Sequence, residues 1–164
     1  MARSSLIDLI DAAAGRKIVC IGDVMLDRFV YGDVSRISPE APVPIMRRTR
    51  EASMPGGAGN VARNLASLGL FTALVGVVGD DPEGRELASL MGQVQNVEAD
   101  LIAMRGRPTT LKTRFVAGSQ QLLRVDAEEV ASIGPDIEVK LTGAIHQVAA
   151  DAPLIILSDY AKGA

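Results

Sequence analysis

Gly56, Gly57 and Gly59 stand together in the run Met54-Pro55-Gly56-Gly57-Ala58-Gly59-Asn60-Val61-Ala62, directly ahead of a helical pattern. Glycine permits positive φ and lets a neighbouring group come close to the backbone. Val61, Leu65 and Leu68 follow at helical spacing, and Gly69 is placed as a stop. A glycine turn feeding a helix N-terminus offers N–H donors to a polar or anionic ligand. A tight turn without a ligand is the plainer alternative. Carboxylates form a second set: Asp23 at the end of the stretch 17–24 and Asp27 just beyond it, Asp80 and Asp81 after the run 73–78, and Asp159 after the run 154–157. An ionised carboxylate accepts hydrogen bonds from two adjacent hydroxyls, which suits a sugar. Asp23 could equally cap the turn that follows it, Asp80 and Asp81 fit best as caps of the next helix, and Asp159 could simply shape a turn. Cations form the third set. Lys112 and Arg114 are two apart in a strand pattern and so share a face, and Lys162 follows the last apolar run. Charge-assisted hydrogen bonds from such groups hold a phosphate; three solvated surface cations are the alternative.

These residues need elements to position them. Residues 5–14 read as a short amphipathic helix ended by Gly15, and residues 17–24 as a buried strand. Residues 29–34 and 43–48 read as short strands exposed on one face. The glycine loop and its helix come next, then an apolar strand at 73–78. Asp81-Pro82 opens a helix over 82–91 with an N-cap and a proline at N1. Residues 97–104 form a weaker strand. Residues 109–116 and 121–126 flank Ala117-Gly118-Ser119 as a hairpin. Ile137, Leu141, Ile145 and Val148 recur on one helical face, and residues 154–157 read as a last buried strand. Alternating strands and helices imply a mostly parallel sheet covered on both faces. In such sheets ligands bind beyond the carboxyl ends of the strands.

One other motif competes. Gly57-Ala58-Gly59-Asn60-Val61-Ala62 fits G-x-G-x-x-A, the dinucleotide fingerprint, and Asp80 stands at the expected distance for its acidic partner. That fingerprint requires a buried strand just before the first glycine, and Arg50-Glu51-Ala52-Ser53-Met54-Pro55 does not read as one. A nicotinamide site therefore ranks below a sugar site. No Walker-type loop and no protein-kinase catalytic loop is present.

Bulk properties narrow the field. The chain has 164 residues, enough for one domain with a core, a net charge of −3 and 3% aromatic residues without Trp. A nucleic-acid surface or base-stacking platform is not expected. Cys20, the single cysteine, lies in the apolar run Ile18-Val19-Cys20-Ile21 and reads as a buried small hydrophobe. His146, the single histidine, has no Cys or His partner nearby, so no metal site is expected. Arg3 stands near the N-terminus, but Asp8 and Asp11 interrupt the apolar run that a signal segment needs, and no run approaches a membrane span. A cytoplasmic location is the expectation. Glu128-Glu129 and Arg47-Arg48 read as solvated charge runs.

Longer motifs carry a resemblance. Gly56-Gly57-Ala58-x-Asn60-x-Ala62, then Gly69 and Gly79, resembles the first signature of the ribokinase-like (PfkB-type) carbohydrate kinases. Gly22-Asp23-Val24-Met25-Leu26-Asp27-Arg28 is similar to one branch, the D-glycero-β-D-manno-heptose 7-phosphate kinases. So are Gly32-Asp33-Val34-Ser35-Arg36-Ile37-Ser38-Pro39-Glu40-Ala41-Pro42-Val43-Pro44, Lys112-Thr113-Arg114, Gln120-Gln121-Leu122-Leu123-Arg124-Val125-Asp126 and Leu157-Ser158-Asp159-Tyr160-Ala161-Lys162-Gly163. The resemblance runs from about Lys17 to Ala164.

It implies an α/β fold, ribokinase-like, three-layered α/β/α with a mostly parallel sheet plus a small β lid. Residues 1–164 would be the N-terminal, sugar-binding part, with lid strands at about 29–48 and 109–126. The implied reaction transfers the γ-phosphate of Mg-ATP to the anomeric hydroxyl of heptose 7-phosphate, on the way to ADP-heptose and the lipopolysaccharide core. Asp27 and Asn60 would take sugar hydroxyls, the backbone at Gly56 and Gly57 would lie close to the sugar, and Lys112, Arg114 and Lys162 would take the phosphate. Asp159 would share the last site motif with Lys162. ATP and Mg²⁺ would be bound mainly by a C-terminal half carrying the anion hole and base, so no catalytic residue is expected in this chain and no turnover from it alone. A homodimer through the lid is implied. Another sugar or nucleoside as acceptor, or a non-catalytic sugar-phosphate-binding or dimerisation module, are the competing readings.

Overall fold

The computed structural model describes residues 5–163; Arg3 and Ala164, which entered the sequence reading, lie outside them. The elements run α1 (Leu6–Ala13), β1 (Lys17–Gly22), β2 (Val24–Ile37), β3 (Pro44–Gly57), α2 (Ala58–Ser67), β4 (Phe71–Gly79), α3 (Pro82–Gly92), β5 (Val97–Met104), β6 (Leu111–Ala117), β7 (Gln120–Ala127), α4 (Pro135–Ala149) and β8 (Ile155–Ser158). They form two four-stranded sheets. The first has the order β5-β4-β1-β8 and is parallel throughout; the second has the order β3-β2-β6-β7.

Strand alternation explains the layering. Cys20, Leu74 and Val78 point to one side of the parallel sheet and pack with Ala58 and Ala62 of α2 and Leu87 and Met91 of α3. Val75 and Val77 point to the other side and pack against Leu141, Ile137, Ile145 and Val148 of α4. A sheet covered on both faces must be apolar on both, which is why β4 reads as a continuous hydrophobic run rather than an alternating one. The three-layer α/β/α arrangement expected from the sequence is the one found.

Several boundaries differ from the expectation. β1 stops at Gly22, and Val24 already belongs to β2, so the chain leaves the parallel sheet at Asp23. The residues on both sides of Asp23, Ile18 to Ile21 and Val24 to Leu26, are apolar, so hydrophobicity alone cannot mark the change of sheet. The two short strands expected at 29–34 and 43–48 are parts of two 14-residue strands, paired antiparallel from Val24↔Gly57 to Ile37↔Pro44. Their outer halves are exposed and polar, which hides strand character from a hydrophobic pattern. β6 pairs parallel with β2 and antiparallel with β7, completing a small sheet that stands off the body as a lid. The last strand is not buried as expected: Ile155 is 43% and Leu157 75% exposed. Among the described residues β8 pairs with β1 alone, so its other edge is open.

Candidate functional site

The glycine run is not a loop. Gly56 and Gly57 are the last two residues of β3, opposite Met25 and Val24 of β2. Gly57 has φ +56° and is the N-cap of α2, where it makes no side-chain cap. A Cβ at Gly57 would collide with the backbone carbonyl of Asp23 and approach the Met25 side chain; one at Gly56 would collide with the Asp27 carboxylate. The close approach inferred from these glycines is therefore an approach of protein to protein. The Ala58 N–H, first of the helix donors, is already bonded to the Asp23 carbonyl at 2.9 Å. The dinucleotide argument also needs a different reason. A strand does precede the glycines, but it is an exposed, antiparallel lid strand, not the buried parallel strand of a βαβ unit.

Asp27 sits on β2, in register with Lys112 of β6, so both side chains lie on one face of the lid. Phe29 and Arg114, also in register, share that face. Arg114 Nη1 donates to Asp27 Oδ1 at 2.5 Å, and its guanidinium lies over the Phe29 ring, 5.2 Å from the centroid. Asp27 Oδ2 accepts no hydrogen bond among the described residues. Lys112 Nζ donates to Asp126 Oδ2 at 3.0 Å and to Glu128 Oε2 at 3.2 Å. Lys162 Nζ, from the loop after β8, donates to Glu128 Oε1 at 2.8 Å. Each of the three cations expected to meet a phosphate thus has a carboxylate partner already. Bonding to Lys162, acting against the desolvation of the carboxyl, with further bonding to Lys112, holds the Glu128 carboxyl below its ordinary range. Asp126 is lowered in the same way, first by its bond from Lys112 and further by Arg124.

Asp23 is the buried carboxylate of the site. Its Oδ2 accepts from the backbone N–H groups of Tyr160, at 2.8 Å, and Lys162, at 3.0 Å. It neither caps the following turn nor faces open space; it holds the loop after β8 against the carboxyl end of β1. Asp159 is exposed and accepts from the Ala161 N–H at 2.6 Å, the turn-shaping role set against ligand binding in the sequence reading. Asn60 is exposed on the first turn of α2. Asp81 caps α3 through the Gly84 N–H, at 2.7 Å, and also takes both the N–H and hydroxyl of Thr109. Asp80 does not share this role; it is exposed beside Arg85 and Arg105. Burial pushes the Cys20 thiol up to about 11, which fits a packing residue and no nucleophile.

Three residues that shape the site were not singled out by sequence. Glu128 joins Lys112 to Lys162. Arg107 is buried, and its Nη2 donates to the Lys162 carbonyl. Arg28, facing away from Asp27, binds Glu86 of α3 at 2.6 Å and lies near Glu83 and Glu51, fastening the lid to the body. Glu128 looked like half of a solvated acidic pair, and no pattern in sequence distinguishes it from Glu129.

A lid whose polar face carries a carboxylate, placed beside the carboxyl ends of a doubly covered parallel sheet, is an arrangement for holding a polyhydroxylated ligand. The description "pfkB family carbohydrate kinase" matches residues 15–150. The chain belongs to that family. A bifunctional protein HldE from Hyphomonas neptunium is 59% identical over 160 residues, covering 98% of this chain and 33% of that protein. Its counterpart from Paramagnetospirillum magneticum is 47% identical over the same shares. This pfkB-family chain thus spans about a third of the length of these curated relatives. Among solved structures, phosphofructokinase-2 from Escherichia coli in complex with fructose-6-phosphate superposes with a TM-score of 0.66 at 22% identity, covering 88% of this chain and 45% of that one. A carbohydrate kinase from Agrobacterium tumefaciens gives 0.66 at 21%, covering 85% and 44%. These two likenesses concern the fold alone.

Proposed function

We propose that this chain forms the sugar-phosphate-binding part of a carbohydrate kinase, and that its acceptor is D-glycero-D-manno-heptose 7-phosphate, phosphorylated at the anomeric hydroxyl in ADP-heptose synthesis for the lipopolysaccharide core. The observation that carries the reading is the meeting of lid and body on one side of the molecule. Asp27 and Lys112 come from the lid face, Lys162 comes from the loop beyond β8, and Glu128 brings the two ammonium groups together. Asp27 Oδ2 accepts hydrogen bonds from sugar hydroxyls while Arg114 holds Oδ1 and fixes the carboxylate plane. Asn60 offers an exposed amide at the start of α2, on the far side of Gly56 and Gly57. Lys112 and Lys162 bind the substrate's phosphate, and Arg114 acts on Asp27 instead. Asp159 contributes by shaping the loop that presents Lys162.

Kinases of this family take ATP and a divalent metal, which supply the phosphoryl group and neutralise its charge. Among the described residues no group of three or more His, Cys, Asp or Glu side chains is placed to hold a metal ion. No step through nucleotide or metal is therefore assigned to these residues; their part is to bind and orient the acceptor. A neutral sugar as acceptor is the second reading, favoured by the carboxylate partner that each of the three cations already has.

One experiment separates the two. In a kinase-length protein carrying this chain, Lys112→Ala and Lys162→Ala are each compared for binding heptose 7-phosphate and the same heptose without phosphate. Loss of one charge-assisted bond corresponds to roughly 1.5–3 kcal/mol, about ten- to a hundredfold in affinity. That loss is expected for the phosphorylated ligand only. Equal losses for both ligands, measured by calorimetry, would favour the neutral sugar.

A further inference from the structure

Glu128 lies where two cations from different parts of the chain converge. Lys112 arrives from β6 of the lid and Lys162 from the loop after β8, and one carboxylate takes both, Oε2 from the first and Oε1 from the second. The three side chains are largely withdrawn from water, at 14%, 17% and 24% exposure. The other carboxylate on Lys112, Asp126, is shared with Arg124. Among the described residues, Glu128 is thus the one carboxylate common to both ammonium groups. Two ammonium groups in such proximity repel each other, so an anion between them is a condition for their pairing.

The geometry points to Glu128 as a specificity-determining residue: an internal anion that keeps Lys112 and Lys162 together as a seat, and that an incoming ligand must displace. The inference rests on the reading that these lysines receive the substrate's phosphate. Its selectivity follows from charge. A phosphate monoester carries about −1.5 to −2 at neutral pH. Exchanging the Glu128 carboxylate for such a group gains up to one further unit of negative charge between the two lysines. Exchanging it for a carboxylate or a sulfate monoester, each a monoanion, gains none. A neutral sugar cannot displace it at all. Glu128 therefore sets a displacement cost that every anion must meet, and a dianion, with its additional charge between the lysines, meets it with the largest margin. In this role Glu128 touches no substrate atom and acts through the lysines.

The test compares three probes, heptose 7-phosphate, the heptose 7-sulfate isostere and unmodified heptose, against a kinase-length protein carrying this chain. Calorimetry is run on the unsubstituted protein, Glu128→Gln and Glu129→Gln. Glutamine keeps the shape of Glu128 and removes its charge. Glu129 is exposed, and the lysines' ion-pair partners among the described residues are Asp126 and Glu128, so its variant controls for the change in net charge. In Glu128→Gln both anions are expected to bind about tenfold more tightly, the scale of one charge-assisted bond, because neither has a carboxylate left to displace. Unmodified heptose should be unchanged, and Glu129→Gln should keep the original affinities. A Glu128→Gln protein that binds the two anions no more tightly than Glu129→Gln does would overturn the inference while leaving the phosphate reading intact. An unsubstituted protein that binds heptose and heptose 7-phosphate equally would overturn the phosphate reading, and the role of Glu128 with it. Circular dichroism on each variant, and binding of unmodified heptose, show that fold and sugar site persist.

Discussion

At the scale of single residues, the site is made by backbones that approach closely and by side chains that hold one another. Gly57 illustrates the first. Its φ of +56° and the Asp23 carbonyl behind it leave no room for a Cβ. Gly57→Val is therefore expected to destabilise the protein by about 2–6 kcal/mol, combining backbone strain with overpacking. Gly118, in the lid hairpin, has a similar φ of +58° with nothing within 4 Å of an added Cβ. Gly118→Ala should thus carry backbone strain only, about 1 kcal/mol. Chemical denaturation of the two variants checks the contrast; equal, small losses would mean that Gly57 is a plain turn. Arg114 illustrates the second point. Its position on the lid face suggested a phosphate ligand, yet its partner is Asp27, 87 residues away in sequence.

At the scale of elements, Asp81 ties three of them together. It caps α3 at Gly84, and through Thr109 it fixes the approach to β6 against the end of β4, where Thr109 Oγ1 also accepts from the Gly79 N–H. Burial raises the Asp81 carboxyl, but the bonds from Thr109 and Gly84, aided by Arg85, outweigh it and leave the group below its ordinary range. A depressed carboxyl contributes stability that is complete above its unfolded value, about 3.9, and is lost as pH falls through the lower folded value. Asp81→Ala should cost about 1–3 kcal/mol at neutral pH. Asp81→Asn should flatten the acid limb of the stability curve below pH 4. Thermal melts from pH 7 to pH 2 test both, and a variant with an unchanged acid limb would contradict the assignment.

The lid has a second face. Leu123 and Val125 of β7 alternate with Arg124 and Asp126 and are 56% and 47% exposed. Exposed apolar strands of this kind mark an association surface. The expectation is a dimer joined through the lids, and Leu123→Lys should shift it towards monomer. Light scattering of both proteins across a concentration series checks this; a monomeric unsubstituted protein at high concentration would count against it.

At the scale of the whole molecule, a three-layer body carries a lid sheet through four crossings: Asp23 between β1 and β2, Gly57 at the junction of β3 and α2, Thr109 before β6, and residues 128–134 between β7 and α4. The Arg28 cluster with Glu51, Glu83 and Glu86 fastens the lid's other face to α3. Asp27 and Arg28 are consecutive on β2, so one points to the site and the other to the body. The angle of the lid and the position of Asp27 are thereby set together.

By itself the sequence determined the layers. Apolar runs at β1 and β4, the 3.6-residue period of α4 and the Asp81-Pro82 start of α3 are local signals, and each forms the element it indicates. The hairpin around Gly118 was legible for the same reason. Sequence also placed Lys112 and Arg114 two apart on one strand, where they share a face; that Asp27 lies on β2 and shares that face was decided by the pairing of β2 with β6. Tertiary structure decided which partner each charged group takes. It put Arg114 on Asp27, Lys112 and Lys162 on Glu128, and the Asp23 carboxylate under Tyr160 and Lys162. It also decided that Gly56 and Gly57 close a strand against β2 and that Asp23 is where the chain changes sheets. Periodicity reports which way a side chain faces along its own element, whereas a charge pair depends on the distance between elements far apart in the chain. Glu128 and Glu129 are adjacent and identical in type, and only the packing of lid against body gives the first two ammonium partners and leaves the second in water.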